Sequence, residues 1–287
     1  MADPWVQKVV IGNCELYLGD MREVLPALDT RAKLALSDPP YRLTPGGKGT
    51  GEFGGCLASD EYDNSGELFP MVEWHEMAPL FHAALQDNAD AIIMTSDREE
   101  AEARVAFMAE GFAFHRLLIW DKITATPNRW YMPDCEFALY LYKGLARRIN
   151  NCSSKAKITC PQKDVSHRYL PADTPEDQRK AHATEKPVPL MAHWLLNSTD
   201  PGDLVIDPFM GAGATIVAAI QIGRRAIGIE QNPKWFHVAC ARAREAQEGG
   251  QHSIFSDAES DSERARTGPC AAREIPHLMK GSLDVPV

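Results

Sequence analysis

The sequence predicts an α/β protein built on a doubly wound, mostly parallel sheet of seven strands. Short apolar runs alternate along the chain with stretches of helical periodicity, which is the pattern of strands joined by crossover helices. Hydrophobic residues make up 44% of the 287 residues, enough to fill the core of one large domain with insertions. A Gly-x-Gly turn between an apolar run and an apolar helical stretch is a connection typical of such sheets.

The individual elements follow from the same patterns. Seven apolar runs are predicted to form strands: 15–18, 33–37, 90–95, 114–120, 136–142, 203–206 and 225–229. Six stretches of helical period are predicted to form helices: 21–28, 71–85, 99–110, 188–197, 214–222 and 233–246. Because helices alternate with most of the strands, we expect helices on both faces of a single sheet.

Three segments break this alternation. Residues 43–68 are rich in glycine and polar side chains, which favours a mobile loop. Residues 144–182 have little periodicity and lie in a basic region, since the chain from Lys143 to Lys186 carries ten Lys or Arg against five Asp or Glu. Residues 248–287 mix Ser, Asp, Glu and Arg without an apolar period, which is typical of a disordered tail.

Charge and cysteine content restrict the class of protein. The formal net charge of −10 argues against a protein that coats nucleic acid over its whole surface, although a local basic cleft remains compatible with it. The seven cysteines are odd in number and contain no C-x-x-C pair, which favours free thiols in a reducing compartment. The chain has no signal peptide and no apolar run near the roughly 18 residues of a membrane span, so we expect a cytoplasmic protein.

The first chemical signal is Asp38-Pro39-Pro40-Tyr41, directly after a predicted strand. Ligands of open parallel sheets bind outside the carboxyl ends of strands. The two prolines stiffen the backbone and have no N–H donors, so their carbonyls are held as acceptors. The Asp38 carboxylate and the Pro39 carbonyl would accept both hydrogens of an aromatic amino group, while Tyr41 would stack on the ring for about 1–3 kcal/mol. A plain Pro-Pro turn is the alternative.

The second signal is the turn Asp207-Pro208-Phe209-Met210-Gly211-Ala212-Gly213, between a predicted strand and a predicted helix. Glycines at a helix amino terminus let a nucleotide-like ligand approach the backbone closely. Glu230 ends the next strand, where an acidic side chain can accept hydrogen bonds from both ribose hydroxyls. Position 216 is Ile, so the third glycine of a dinucleotide fingerprint is missing, which disfavours NAD. The alternative is that the glycines only permit a tight turn.

Together these motifs resemble the S-adenosylmethionine-dependent amino-group DNA methyltransferases, in the permuted (beta) class whose catalytic motif precedes the cofactor motif. The motifs occur in the family's order: Leu18-Gly19-Asp20-Met21, Asp38-Pro39-Pro40-Tyr41, His182-Ala183-Thr184-Glu185-Lys186-Pro187, the Asp207–Gly213 turn, and Gly223-Arg224-Arg225-Ala226-Ile227-Gly228-Ile229-Glu230. The resemblance extends over residues 9–244 outside the two irregular insertions, and the ordered set makes it specific.

The resemblance implies a Rossmann-like methyltransferase sheet that binds S-adenosylmethionine. The residues that it assigns to the cofactor are Asp20, Asp38, Thr184, Lys186, Asp207, Pro208, Phe209, Gly211, Gly213 and Glu230. Among them, Asp20 would lie near the cofactor adenine and Thr184 and Lys186 near its methionine end. Lys186 could equally be an exposed residue at the start of a helix.

The same resemblance implies a target-base site and a plan of domains. Asp38, Pro39, Pro40 and Tyr41 would form the catalytic site for a base flipped out of duplex DNA. Residues 1–143 would be the catalytic half and residues 183–247 the cofactor-binding half of one sheet. Residues 144–182 would be a small insertion for DNA recognition, and residues 248–287 a tail. The candidate DNA contacts are Arg129, Trp130, Arg147, Arg148, Lys155, Lys157 and Arg168.

An aspartate at position 38 is usual in relatives that methylate adenine-N6, whereas serine goes with cytosine-N4, so the resemblance favours adenine. Cytosine-N4 methylation, methylation of RNA or of a protein amide, and a non-catalytic DNA-binding role are the alternatives. Double-stranded DNA is the implied partner, with no membrane. A homodimer and a cognate restriction endonuclease are further partners that the resemblance allows.

Overall fold

A computed structural model describes residues 3–40, 71–123, 131, 134–151, 156–162 and 185–249. All of these residues belong to the unit Met1–Gln251. The predicted loop 43–68, most of the insertion 144–182 and the tail beyond residue 249 lie outside the described residues.

One sheet runs through the described part of the chain. Its nine strands are β1 (Gln7–Ile11), β2 (Cys14–Leu18), β3 (Ala32–Ser37), β4 (Leu85–Thr95), β5 (Phe112–Asp121), β6 (Cys135–Lys143), β7 (Thr159–Pro161), β8 (Leu204–Asp207) and β9 (Arg225–Glu230). Their order across the sheet is β1-β2-β9-β8-β3-β4-β6-β5-β7. Among these strands only β1 and β6 run antiparallel to the rest, so the sheet is mostly parallel as predicted.

All seven predicted strands are present, and two more strands extend the sheet at its edges. β1 pairs with β2 and exposes most of its residues, and β7 has only three residues. An edge strand is held by backbone hydrogen bonds along one side, so it needs no alternating apolar pattern. The count of seven strands was therefore too low by the two edge strands.

Six helices cover the sheet within the described residues, and each matches a predicted one. They are α1 (Met21–Ala27), α2 (Trp74–Ala84), α3 (Glu100–Ala109), α4 (Val188–Ser198), α5 (Ala214–Gln221) and α6 (Pro233–Glu248). Helices α1, α2 and α3 pack side by side in one layer, and α4, α5 and α6 form the other. This is the doubly wound arrangement.

Strand alternation supplies a core to each layer. Ala35 and Ile206 are fully buried in the apolar cluster beneath α1, α2 and α3. Their neighbours Leu34, Leu36 and Val205 are also fully buried, and successive side chains of a strand point to opposite faces. Strands buried on both faces read as continuous apolar runs, which is why these segments could be predicted.

The winding reverses between two central strands. From β3 the chain passes through α2 to β4 on one side, and from β8 it passes through α5 to β9 on the other. Since β3 and β8 are parallel neighbours, their carboxyl ends meet at this reversal. In open α/β sheets the crevice at such a point is where ligands bind. In the part of the chain that is described, no helix is both long and apolar enough to cross a membrane.

The aromatic contacts between α2, α3 and β5 give a test of the core. Phe107 is fully buried, with its ring centroid 5.7 Å from that of Phe81 and 5.5 Å from that of Phe112. Phe107→Ala should lower the free energy of unfolding by about 3–5 kcal/mol, because it leaves a cavity. Val105→Ala, at an exposed position of the same helix, should change it by no more than about 0.5 kcal/mol. Urea unfolding of the two variants measures the difference; equal effects would contradict this packing.

Candidate active site

The two motifs predicted to act together meet at the reversal of the sheet. Asp38 follows β3 directly, and Asp207 is the last residue of β8. The Ser37 hydroxyl donates to Oδ1 of Asp207 at 2.6 Å, across 170 residues of sequence. The catalytic motif and the cofactor motif are thus joined by a buried hydrogen bond.

The carboxylate of Asp38 is held on one side only. Its Oδ2 accepts a hydrogen bond from Nζ of Lys186 at 2.5 Å. Its Oδ1 is buried and has no hydrogen-bond partner among the described residues. Burial raises the pKa of Asp38 above its ordinary value, while the Lys186 ammonium opposes that rise. A buried acceptor without a donor is costly, so this oxygen is suited to a ligand that supplies an N–H.

Lys186 is enclosed by acidic groups. Its side chain is only 5% exposed. Besides its bond to Asp38, its Nζ lies 3.3 Å from Oε2 of Glu136. The interpretation of Lys186 as an exposed helix-start residue is therefore wrong. Glu136 in turn binds Nζ of Lys122 through Oε1 at 2.6 Å. Burial alone would raise the pKa of Glu136, but the two ammonium groups hold that pKa below its usual value.

The Asp207 carboxylate shapes the turn that follows β8. Besides the Ser37 hydroxyl, its Oδ1 accepts the backbone N–H of Phe209 at 3.2 Å. The side chain is almost fully buried, and this burial raises the pKa of Asp207 to about 6. Gly213 has a φ of +81°, and a Cβ there would lie 2.9 Å from Cβ of Ala239. Glycine is needed at this position both for its left-handed backbone and for the close approach of α6.

Glu230 anchors the glycine turn to β9. Its Oε2 accepts the N–H of Gly211 at 3.0 Å, and its Oε1 accepts the N–H of Asn232 at 2.7 Å. Burial raises the pKa of Glu230. A carboxylate has about four lone-pair sites, so these two bonds leave acceptor capacity for other donors. Sequence alone indicated a ribose acceptor here; the structure adds that the same side chain fixes the loop.

Asp20 follows β2 and therefore lies at the carboxyl ends of the parallel strands, where Glu230 ends β9. The N–H of the preceding Gly19 donates to the carbonyl of Glu230 at 3.0 Å. The Asp20 side chain caps α1 by accepting the N–H of Arg22 at 2.8 Å, and it also pairs with the Arg22 guanidinium at 2.6 Å. The carboxylate thus begins a helix beside the Glu230 strand.

Arg242 connects the glycine turn to the segment before α4. Its guanidinium donates to the carbonyl of Ala212 at 2.7 Å and pairs with Glu185 at 2.7 Å. Glu185 precedes Lys186, so α6, the turn and the lysine are tied together. Arg242 is not among the site residues predicted from the sequence, because both of its partners are distant along the chain.

Several predicted site residues fall elsewhere. Tyr41, Arg129, Trp130, Lys155, Arg168 and Thr184 lie outside the described residues. Pro39 and Pro208 are buried and Pro40 is partly buried, each beside its aspartate. Arg148 and Lys157 are exposed. Tyr131, next to the predicted contact Trp130, is fully exposed.

Arg147 lies at the opposite end of the strands from Asp38, because it follows β6, which runs antiparallel to β4. Its guanidinium donates to the carbonyl of Ser198, the last residue of α4, and to Oδ1 of Asn150 at 3.1 Å. The Asn150 amide also donates to the carbonyl of Thr199 at 2.8 Å. These bonds satisfy carbonyls at a helix carboxyl terminus, which is a structural role. We therefore leave Arg147 out of the proposed DNA-binding surface.

Sequence reasoning missed Ser37, Lys122 and Glu136. Lys122 directly follows β5 and Glu136 is the second residue of β6, an antiparallel neighbour of β5. Because β6 starts where β4 and β5 end, both charges reach the same edge as Asp38. In the sequence, Lys122 lies just after one predicted strand and Glu136 begins the next. These positions indicate a site only once the pairing of the two strands is known.

The fold and the site define a doubly wound α/β protein with a cluster of buried acidic residues and a glycine turn where the winding of its sheet reverses. The family model N6_N4_Mtase, described as DNA methylase, matches residues 32–240. The chain belongs to this family of DNA methylases.

Two relatives agree with this assignment. The type II methyltransferase M2.DpnII of Streptococcus pneumoniae is 28% identical over 220 residues, which cover 73% of this chain and 81% of the relative. The type II methyltransferase M.HinfI of Haemophilus influenzae is 28% identical over 248 residues, covering 79% and 67%.

Two solved structures share the fold. The M1.HpyAVI–SAM complex superposes with a TM-score of 0.61 at 23% identity, over 80% of this chain and 98% of that one. The PvuII DNA methyltransferase (cytosine-N4-specific) has a TM-score of 0.61 at 15% identity, over 83% and 89%. The predicted Rossmann-like methyltransferase fold is confirmed. The predicted S-adenosylmethionine cofactor is confirmed at the level of the family.

The raised pKa of Asp207 makes the stability of the protein depend on pH. A carboxyl group whose pKa is higher in the folded state binds its proton more tightly there, so its contribution to stability falls as pH rises from the unfolded to the folded pKa. Asp207→Asn removes this titration. Between about pH 4 and pH 7, the free energy of unfolding of the wild type should therefore fall by about 2–3 kcal/mol relative to that of the variant. This difference is the relative gain of the variant.

Urea unfolding at the two pH values measures this gain, and comparing each protein with itself cancels losses that do not depend on pH. Asp87→Asn, an exposed aspartate on β4, is the control and should show no gain. A parallel pH dependence of the Asp207 variant and the wild type would refute the buried titration.

Proposed function

We propose that this DNA methylase transfers a methyl group from S-adenosylmethionine to the N6 amino group of adenine in duplex DNA, with Asp38 as the acceptor that holds the amino group. The observation that carries the proposal is the Asp38 carboxylate, with one oxygen fixed by Lys186 and the other buried without a hydrogen-bond partner among the described residues.

The residues beside Asp38 suit the methyl donor. Glu230 keeps acceptor sites for ribose hydroxyls, and its bond to the N–H of Gly211 holds the glycine turn beside them at the start of α5. Asp20 lies beside the Glu230 strand at the same edge. S-adenosylmethionine supplies a methyl group on a positively charged sulfur, which is already electrophilic. The protein is therefore required chiefly to place the acceptor nitrogen and to exclude water.

Asp38 would position that nitrogen. The lone pair of an aromatic amino group is delocalised into the ring, which makes the nitrogen a weak nucleophile. Acceptance of its two hydrogens by Oδ1 of Asp38 and by the carbonyl of Pro39 favours a pyramidal nitrogen with an available lone pair. Tyr41 is proposed to stack on the base. Because the amino group of a paired base is buried in the duplex, the target would be flipped out of the helix.

Adenine is proposed on the identity of residue 38, and cytosine-N4 is the competing substrate. The PvuII enzyme that shares the fold is named cytosine-N4-specific, but at 15% identity it supports the fold alone. Incubation of duplex DNA with methyl-labelled cofactor, followed by digestion and mass spectrometry of nucleosides, separates N6-methyladenine from N4-methylcytosine. Parallel incubations with RNA and with protein test the other classes, and a protein that modifies none of them would be a non-catalytic binder.

The DNA surface and the partners remain proposals. Residues 144–182 are proposed to recognise DNA between the catalytic half, 1–143, and the cofactor half, 183–247, with residues 248–287 as a tail. Arg148 and Lys157 are the candidate contacts that lie exposed in the described part of the chain. Arg129, Trp130, Lys155 and Arg168 complete the proposed set. Two relatives are named type II methyltransferases, which supports a cognate restriction endonuclease. A homodimer is also proposed.

Removal of the Asp38 side chain tests the catalytic assignment. Asp38→Ala should lower the single-turnover rate of DNA methylation by about 100-fold or more, because the amino group loses its charged acceptor. Cofactor binding, measured by calorimetry, should change little. Asp87→Ala removes an exposed aspartate near the amino end of β4, away from the carboxyl ends of the strands, and should leave both quantities unchanged. A rate near that of the wild type in Asp38→Ala would reject the assignment.

The raised pKa of Asp38 predicts the acid limb of the pH–rate profile. Only the ionised carboxylate offers both oxygens as acceptors, so methylation should fall as pH drops through the pKa of Asp38. Because burial raises this pKa, the fall should occur above the ordinary aspartate value of 3.8. The residual activity of Asp38→Asn should lack this limb. The same limb in both proteins would assign it to another group, such as Asp207.

A further inference from the structure

Four charged side chains of alternating sign lie in a row at the active-site edge. They run from Lys122 through Glu136 and Lys186 to Asp38, with N–O distances of 2.6, 3.3 and 2.5 Å. Their side chains are between 5% and 23% exposed, so the row is largely withdrawn from water. The Asp38 carboxylate at its end is the proposed hydrogen-bond acceptor for the target amino group.

We propose that Lys186 is a positioning residue for Asp38, fixing the orientation and the ionised form of its carboxylate, and that Glu136 holds Lys186 in place. This inference rests on the proposed function and deepens it. It assigns Lys186 to the target-base side of the site instead of the methionine end of the cofactor.

The position of Lys186 is set by the backbone. It directly precedes Pro187, the N-cap of α4, and the Pro187 carbonyl accepts the N–H of Leu190 at 3.0 Å. The neighbouring Glu185 is tied to Arg242. The lysine therefore extends into the edge of the sheet from a fixed point. A lysine this deeply buried must be paired, since burial of an unpaired ammonium is costly.

Glu136 supplies the second partner from another direction. It lies on β6, opposite Trp120 of β5, and its other oxygen binds Lys122. The Lys122 ammonium is also 5.1 Å from the centroid of the Trp120 ring. With negative charge on both sides, Lys186 is restrained between Asp38 and Glu136, and it binds Oδ2 without taking the place of a ligand at Oδ1.

The ionisation of Asp38 follows from its neighbours. Lys186 and Lys122 favour the carboxylate, whereas Glu136 and burial favour the neutral acid. Asp207 lies nearby on β8, and the charge of Asp38 contributes to raising the pKa of Asp207. Charges this close shift the pKa of a carboxyl strongly. Removal of Lys186 and removal of Glu136 should therefore move the pKa of Asp38 in opposite directions.

The lysine variants give the first test, in single-turnover methylation across pH. Lys186→Gln should react at least about tenfold more slowly near pH 6, with a smaller deficit near pH 8, because more of its Asp38 is protonated at the lower pH. Lys186→Arg keeps the charge and should recover most of the rate. Lys8→Gln breaks the ion pair between the edge strand β1 and Glu15 of β2 and should match the wild type throughout.

The glutamate variant gives a change of opposite sign. Glu136→Gln keeps one oxygen acceptor, enough for one of the two lysines, but removes a negative charge near Asp38, so its acid limb should move to lower pH. A merely structural role would lower the rate of both variants without shifting the limbs apart. That result, or limbs that move the same way, would overturn the proposal.

Two further measurements test the proposal without methylation: calorimetry of cofactor binding and a titration of the Asp38 carboxyl group. Calorimetry should give Lys186→Gln a cofactor Kd within about threefold of the wild type. A tenfold weaker Kd with an unchanged pH profile would instead make Lys186 a cofactor ligand and reject the proposal.

The titration uses protein labelled with ¹³C at the aspartate carboxyl groups, with the Asp38 signal assigned by its loss in Asp38→Asn. Its pKa should rise in Lys186→Gln and fall in Glu136→Gln; no change would refute the proposal. The proposed function could fail in the methylation assays while this titration still decides whether Lys186 controls Asp38.

Discussion

The site depends on the parallel pairing of β3 with β8. Each strand is short, and each carries one motif only at its carboxyl end, so neither motif forms a site by itself. Their pairing places Asp38 and Asp207 side by side, and the bond from Ser37 to Asp207 fixes the two ends against each other at 2.6 Å. Because the helices leave in opposite directions from this pair, the crevice between them stays open to a ligand.

Buried charge is the second constraint on the site. Asp38, Lys186, Glu136 and Asp207 all lie in surroundings that penalise an isolated ion, and the first three are stabilised by pairing with one another. Such an arrangement stabilises the fold poorly, since apolar side chains would fill the same space without the desolvation cost of buried charges. Its value lies in orientation: one carboxylate oxygen is occupied by the protein and the other is left as an acceptor.

The sequence predicted the central part of the fold because apolar periodicity reports burial. Strands covered on both faces, such as β3 and β4, gave uninterrupted apolar runs, and their predicted ends differ from the observed ones by five residues or fewer. The edge strands β1 and β7 gave no such signal, since backbone pairing along one side defines them. Arg147 was placed in a DNA-reading segment by its charge, although its contacts are carbonyls at the end of α4.

What the sequence determined by itself was local: which segments are strands and helices, and which reactive residues follow a strand end. The aspartate turn after β3 and the glycine turn after β8 could be identified because each is a contiguous motif. Only the tertiary structure decided that Lys186 lies against Asp38, 148 residues away, and that Glu136 lies beside it. Contacts at such separation arise from strand order and helix packing, which no local pattern of residues encodes.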